Sequence, residues 1–326
     1  MAVRLKDVAD RAGVSIKTVS NVVNGYSFVT ESIRVKVEQA IAELGYRPNL
    51  GARNLRGGRT GLIALAVPEL AIPYFAELAT LIIKAAATHR WTVLIEQTEG
   101  RRDRETEIVA GIRPSLIDGA IVSALNLDAV DLDAPSRTLP LVLLGEKISG
   151  NGVDHVGIDN VMAARDATRH LISLGRKRIA AIGDQPGQSA GTAPLRLAGY
   201  RQALQEAGLK AEADHVVAAL AYHRNEGANA MAYLLRLPEP PDAVFCFNDL
   251  LAVGATRAAL ELGWRVPQDV AIIGFDDIEE GGYSTPSLST IAPDKASIAE
   301  HAAELLRSRM PPATYSPRWT GSWAIG

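Results

Sequence analysis

The chain has a single cysteine, Cys246, in 326 residues. One cysteine excludes an internal disulfide and any multi-cysteine metal site, and inside "AVFCF" it reads as a small buried hydrophobe. Long apolar runs are also missing, since none approaches the roughly 18 residues of a membrane-spanning helix. The opening "MAVRLKDVAD" lacks the basic, apolar and small-residue succession of a secretory signal, so a cytoplasmic location is expected. Three catalytic signatures are absent too: there is no G-x-x-x-x-G-K-[ST], no G-x-G-x-x-G after a strand and no H-E-x-x-H. The six histidines, at 89, 155, 170, 215, 223 and 301, show no metal-ligand spacing. Asp276 with Asp277, or Glu279 with Glu280, remain as acid and base, but adjacent residues in a strand or loop point apart. No enzyme, cofactor or metal is expected.

What is present is unevenly spread. Residues 1–59 hold ten Lys or Arg against five Asp or Glu, a balance of +5, which leaves −8 for the rest of a chain whose net charge is −3. A basic amino-terminal module on an acidic body fits a protein of which only one end meets phosphate.

In "LKDVADRAGVSIKTVSNVVNG" (5–25), Leu5, Val8, Ala9 and Ala12 share one helical face and Gly13 supplies a sharp turn. Ser15 is placed to cap a second helix whose Val19, Val22 and Val23 point inward. A third helix begins with Thr30 as its cap, buries Ile33, Val37, Ala40, Ile41 and Leu44, and stops at Gly45. Three short helices with a tight turn between the first two describe a helix-turn-helix module. In such modules the second helix enters the DNA major groove, which here presents Ile16, Lys17 and Asn21 to base edges. Thr18, Ser20 and Asn24 are better placed for phosphates, and the helix start at Thr30 for another. A small bundle with a solvated polar face would show the same periodicity.

The next stretch, "YRPNLGARNLRGGRT", has Pro48 ending the third helix, Asn49 able to cap a helix of one or two turns, and Gly57 and Gly58 ending it. A segment of this length is not a stable helix in isolation. With Leu50, Ala52 and Leu55 among Arg53 and Arg56, it reads either as a plain linker or as one that orders against DNA. In the second case Leu55 wedges between base steps of the minor groove and Arg53 and Arg56 take phosphates.

These stretches, with "VEQAIAELGYRPN" and "ARNLRGGRTGLIALAVPEL", closely resemble the lactose-repressor and galactose-repressor family of bacterial transcription regulators. The resemblance runs through nearly the whole chain. It implies a helix-turn-helix head, a hinge helix whose Leu55 resembles the family's intercalating leucine, and a sugar-sensing, dimerising core like periplasmic binding proteins.

Read on its own, the body alternates apolar strands (62–67, 92–96, 119–124, 141–144, 178–182, 243–247 and 270–275) with amphipathic helices such as 161–174, 195–207 and 249–262. Such alternation predicts parallel sheets covered by helices on both faces, and the length allows two doubly wound units. The fold class is thus α/β, with a small all-α head. The expected organisation is a helix-turn-helix domain over 1–48, a hinge and linker over 49–59, and an effector-binding and dimerisation core over 60–326. Within the core, one subdomain takes about 60–159 plus 292–314 and the other about 160–291 plus 315–326.

Ligands of open α/β sheets sit beyond the carboxyl ends of the strands. Those positions here are rich in amides, carboxylates and hydroxyls with aromatics and an arginine nearby, a set suited to a polyhydroxylated ligand. The resemblance adds particular residues: Tyr74 and Phe75 in "PYFAEL", Arg196 in "PLRLAGY", Asn248 in "FNDLLAVGA", Asp276 in "IIGFDD", and Tyr222 where relatives often carry a stacking aromatic. For Arg196, Asn248 and Asp276, helix capping or an ion pair at a domain edge is the alternative. Two departures stand out, "LGRKR" where the family usually has "LGH", and the ending "RWTGSWAIG" in place of a more basic terminus. No leucine-heptad tail follows, which argues for a dimer over a tetramer.

The expected function is therefore a DNA-binding regulator, most simply a repressor, controlled by a small effector. Its expected partners are a near-palindromic double-stranded operator, a sugar, sugar acid or sugar phosphate, and a second copy of the chain, with no membrane. An activator, or a free-standing sugar-binding protein, is the alternative.

Overall fold

The computed structural model describes residues 3–23, 26, 28–46, 59–111, 116–133, 139–145, 152–187 and 191–310. Contacts divide the chain into two units, Met1–Thr60 with Pro312–Gly326, and Gly61–Pro311.

The first unit contains α1 (Leu5–Ala12), α2 (Ile16–Val23) and α3 (Glu31–Leu44). Gly13 ends α1 at φ 67°, a left-handed conformation that a side chain disfavours, and the chain reverses at once into α2. Ser15 caps α2 as its position predicts: its Oγ accepts the Thr18 amide at 3.0 Å. Thr30 corrects an expectation. It occupies the N-cap position of α3, but its side chain makes no capping bond and its Oγ1 lies 3.4 Å from Ser32 Oγ. Val8, Ala9, Val19, Val22, Val37 and Ala40 form the core, with Leu5, Ala12, Val23, Ile33, Ile41 and Leu44 around it. Burying each valine contributes roughly 1.5–3 kcal/mol, so a core this small depends on every member.

The second unit holds two five-stranded parallel sheets. The first has order β2-β1-β3-β4-β5, from β1 (Leu62–Val67), β2 (Thr92–Gln97), β3 (Gly119–Ser123), β4 (Leu141–Leu144) and β5 (Asp154–Val156). The second, β7-β6-β8-β9-β10, comes from β6 (Ile179–Asp184), β7 (Val216–Ala218), β8 (Ala243–Cys246), β9 (Ala271–Phe275) and β10 (Ser289–Ile291). In chain order both have the same plan, second strand outermost, then first, third, fourth and fifth. Each sheet therefore has a switch point between its first and third strands, the place where doubly wound folds bind ligands.

The helices cover both faces. Ile63, Leu65 and Val67 turn to one side of the first sheet, against α4 (Pro73–Thr88) and α12 (Lys295–Arg309). Ala64 and Ala66 turn to the other, against Ile108 and Val109 of α5 (Arg102–Val109) and Leu132 of the short α6 (Ala129–Leu132). The second sheet is covered by α7 (Asn160–Ser173), α8 (Thr192–Glu206), α9 (Arg224–Leu234) and α10 (Asp249–Glu261), with a one-turn α11 (Glu279–Tyr283) near its edge. Strands β5, β7 and β10 are three-residue edge strands that apolar periodicity does not predict. Cys246 is fully buried in β8. No helix among the described residues is long and apolar enough to cross a membrane.

Candidate functional site

On the head, the core-facing side of α2 is consumed by Val19 and Val22, which leaves the other residues outward. Ser15, Ile16 and Lys17 are exposed, and Thr18, Ser20 and Asn21 are half-buried. Ile16 is 47% exposed, so its apolar surface is open at the start of α2. The Thr18 hydroxyl pairs with Ser15 Oγ at 2.8 Å, so the two polar side chains at the helix start hold one another. Thr30 is exposed at the start of α3. Asn24, Asn49, Ala52, Arg53, Leu55 and Arg56 lie outside the described residues.

In the second unit, Arg196 is the anchor of the site. It leaves the first turn of α8 just beyond β6 and is only 6% exposed. Its Nε donates to Asn160 Oδ1 at 2.8 Å and its Nη1 to the Phe247 carbonyl. The guanidinium carbon lies 3.5 Å from the centroid of the Phe275 ring. Cation–π contact and charge-assisted hydrogen bonds together fix a long side chain that would otherwise sample many rotamers. The Phe247 amide donates to Ile182 O at 2.8 Å, extending the β6–β8 pairing past the strand end. Arg196 thus spans the switch point of the second sheet.

Asp276 follows β9 and is 8% exposed. Burial pushes its carboxyl up to about 7, against the opposing pull of Arg196, while Asp249 adds to the rise. Among the described residues no ion pair joins it to Arg196, so the two groups share a space without neutralising one another directly. The backbone here is strained: Asp276 has φ 119° and Asp277 φ 52°. Asp249 pins that turn, its Oδ2 accepting the Ile278 amide at 2.9 Å and its Oδ1 the Thr290 hydroxyl at 2.6 Å. Burial pushes Asp249 up to about 6, against these hydrogen bonds. A methyl at Gly274 would overlap the Asp249 carboxylate, which explains a glycine inside β9.

Asn248 is engaged as a cap. Its Oδ1 accepts the Leu251 amide at 2.9 Å and its Nδ2 donates to the Tyr222 carbonyl at 3.1 Å. Tyr222, at φ 56°, is held from three directions. Its hydroxyl donates to Gly183 O at 2.7 Å, Asn248 holds its carbonyl, and Glu226 accepts the amides of Leu220 and Ala221 at 3.1 and 2.8 Å. Burial also pushes the Tyr222 hydroxyl upward, so it stays protonated.

Tyr74 and Phe75 stand in the first turn of α4, half-buried, with centroids 5.3 Å apart and rings at 73°. Glu77, on the same helix, accepts the Glu279 amide at 3.0 Å, which ties α4 to the segment that follows Asp276. A second link between the two sheets' subdomains joins His223 Nε2 to Glu69 Oε2 at 3.2 Å. The structure thus gathers Arg196, Tyr222, Asn248 and Asp276 at one end of the second sheet and fastens the helix of Tyr74 and Phe75 to it. Asn160, Phe247 and Phe275 build the same site and escape a reading based on side-chain type, because each acts through a neighbour; Asp249, just beyond β8, is a strand-end carboxylate that supports it as well. No group of three potential metal ligands occurs among the described residues.

Residues 4–49 match the family model described as bacterial regulatory proteins, lacI family, and residues 168–321 match a periplasmic binding protein-like domain. The HTH-type transcriptional repressor CytR of Escherichia coli (strain K12) is 34% identical over 311 residues, covering 95% of this chain and 90% of that protein. The chain belongs to the lacI family of bacterial regulatory proteins. Solved structures extend the likeness. The lac repressor dimer bound to operator and the anti-inducer ONPF superposes with a TM-score of 0.82 at 29% identity, covering 95% of this chain and 93% of that one. The transcriptional regulator CelR in complex with cellobiose has a TM-score of 0.66 at 32% identity, covering 94% and 93%.

Proposed function

We propose that this chain is a sequence-specific DNA-binding transcriptional repressor whose operator affinity changes when a small sugar-like effector enters the cleft around Arg196 and Asp276. The observation that carries the effector reading is the fixed guanidinium of Arg196, buried on Phe275 beside an unpaired carboxyl. A donor array and an acceptor held apart in a desolvated space suit vicinal hydroxyls better than an apolar ligand, and the CelR complex with cellobiose supports that class. Tyr222, Tyr74 and Phe75 supply ring surface. Asn248 contributes by holding Tyr222 and retains one amide proton for the ligand.

For DNA, Ile16, Lys17 and Asn21 read base edges from α2, while Ser15, Thr18, Ser20, Asn24 and Thr30 serve phosphates. In this reading residues 1–48 are the DNA-binding domain and 49–59 the hinge, with Asn49, Ala52, Arg53, Leu55 and Arg56 ordering against the minor groove. Residues 60–326 form the effector-binding and dimerising core, divided near 159 and 292. The edge strand β2, which carries exposed Leu94 and Ile95, and Ile83 on α4 offer an apolar surface for a second copy. Two heads at a fixed separation then select a near-palindromic site. Effector shifts operator affinity by the ratio of its affinities for the two states of the core.

A thermal-shift screen with cellobiose, D-ribose, D-glucose, gluconate and glucose 6-phosphate tests the cleft. The proposal expects a hit that Arg196→Ala abolishes. A hit that survives in Arg196→Ala would place the ligand elsewhere.

A further inference from the structure

Lys295 is the first residue of α12, directly after the chain leaves β10 of the second sheet for the helix that covers the first. Its ammonium is saturated. It donates to the carbonyls of Asp276 and Asp277 at 3.0 and 2.7 Å and to Glu77 Oε2. An ammonium has three protons, so each has one acceptor. The side chain is only 12% exposed, and Glu77 is 29% exposed. The two carbonyls belong to the two successive residues with positive φ. The other Glu77 oxygen, Oε1, holds the Glu279 amide at 3.0 Å, so one carboxylate of α4 grips the turn both directly and through Lys295.

We propose that Lys295 and Glu77 form a clamp that keeps the Asp276 turn in its strained shape and makes it move with α4 as one body. A strained turn persists only where its surroundings over-determine it, and here Lys295 and Glu77 add determinants from the crossover and the opposite subdomain to those that Asp249 supplies from its own. Both are positioning residues: they act through Asp276 on one side and through the helix of Tyr74 and Phe75 on the other. Their part in effector response rests on the cleft reading above. The clamp itself does not, because all its hydrogen bonds join groups of the protein.

Hydrogen exchange by mass spectrometry on the full chain, with no sugar added, tests it. Lys295→Met removes all three bonds and is expected to speed amide exchange at least tenfold in both 276–283 and 73–82, while 243–262 stays unchanged. Lys295→Arg, which keeps donors, is expected to restore much of the protection. Glu77→Gln is the milder variant, should Lys295→Met fail to fold. It sits on α4, yet is expected to speed exchange in 276–283 of the other subdomain, an effect a purely local role does not produce. Unchanged exchange at 276–283 in the variants would overturn the clamp. Loosening of 276–283 in Lys295→Met with 73–82 unmoved, or a silent Glu77→Gln, would overturn the coupling. The sugar screen with Arg196→Ala fails or succeeds independently of these results.

Discussion

Asn160 Oδ1 accepts the Nε–H of Arg196 at 2.8 Å, between side chains that are 3% and 6% exposed. The pairing is between a charge and a neutral amide, so the guanidinium is oriented without being neutralised. Asn160→Ala is expected to leave a buried donor unmet and let the guanidinium swing. Sugar affinity should fall about tenfold, the effect of roughly 1–2 kcal/mol, with operator affinity unchanged. Isothermal titration alongside operator binding checks both halves, and equal losses in the two would count against a positioning role.

The buried carboxyls give a pH dependence with a definite sign. Asp276 and Asp249 are raised from 3.8 to about 7 and about 6, chiefly by burial. The folded chain therefore keeps protons that the unfolded chain releases. This contribution to stability is fully present below the unfolded value of 3.8 and is lost as pH rises through about 6 and about 7. Asp276→Asn removes the larger part of it. Relative to wild type, the variant is expected to gain on the order of 1 kcal/mol of stability per pH unit between about pH 5 and about pH 7. Denaturant melts across that range test it, and a difference independent of pH would contradict it.

Gly274→Ala is expected to destabilise the second subdomain by about 1–3 kcal/mol, because its methyl enters the space of the Asp249 carboxylate. Displacing that carboxylate also releases Ile278 and Thr290, so sugar affinity should drop with stability. Chemical denaturation and titration of the same sample read both.

Much of this was legible in the sequence, and the omissions have physical reasons. Leu5, Val8, Val19, Val37 and Ala40 repeat at helical spacing around Gly13, and those residues do close the head's core. Seven apolar runs foretold the longer strands: six are buried and therefore apolar almost throughout, while β2 is an edge strand whose apolar run is largely exposed. "DHV", "VVA" and "STI" carry no such signal, being three-residue edges set by pairing with a neighbour. In the cleft, Asp276 stands directly after a strand, where its charge marks it, whereas Arg196 lies within α8 and is implied by the family resemblance of "PLRLAGY". Asn160 lies 36 positions before Arg196 and Lys295 lies 218 after Glu77, so only tertiary structure brings these pairs together.

In the head, Ser15→Ala is expected to lose the cap on the Thr18 amide, a change of about 1 kcal/mol. Because α2 has only eight residues, fraying its start should weaken operator binding more than it lowers the melting temperature of the core. Differential scanning calorimetry with a gel-shift titration separates the two effects.

If the Arg196 cleft governs the head's grip on DNA, a sugar bound there changes operator affinity. The measurement that tests it most directly is operator affinity by fluorescence anisotropy, for wild type and Arg196→Ala, with and without the sugar identified by thermal shift. The account predicts that sugar changes wild-type affinity by about 5- to 150-fold, the usual range of coupling between sites, and leaves Arg196→Ala, still operator-bound, unmoved. An Arg196→Ala protein that responds to the sugar like wild type would contradict it.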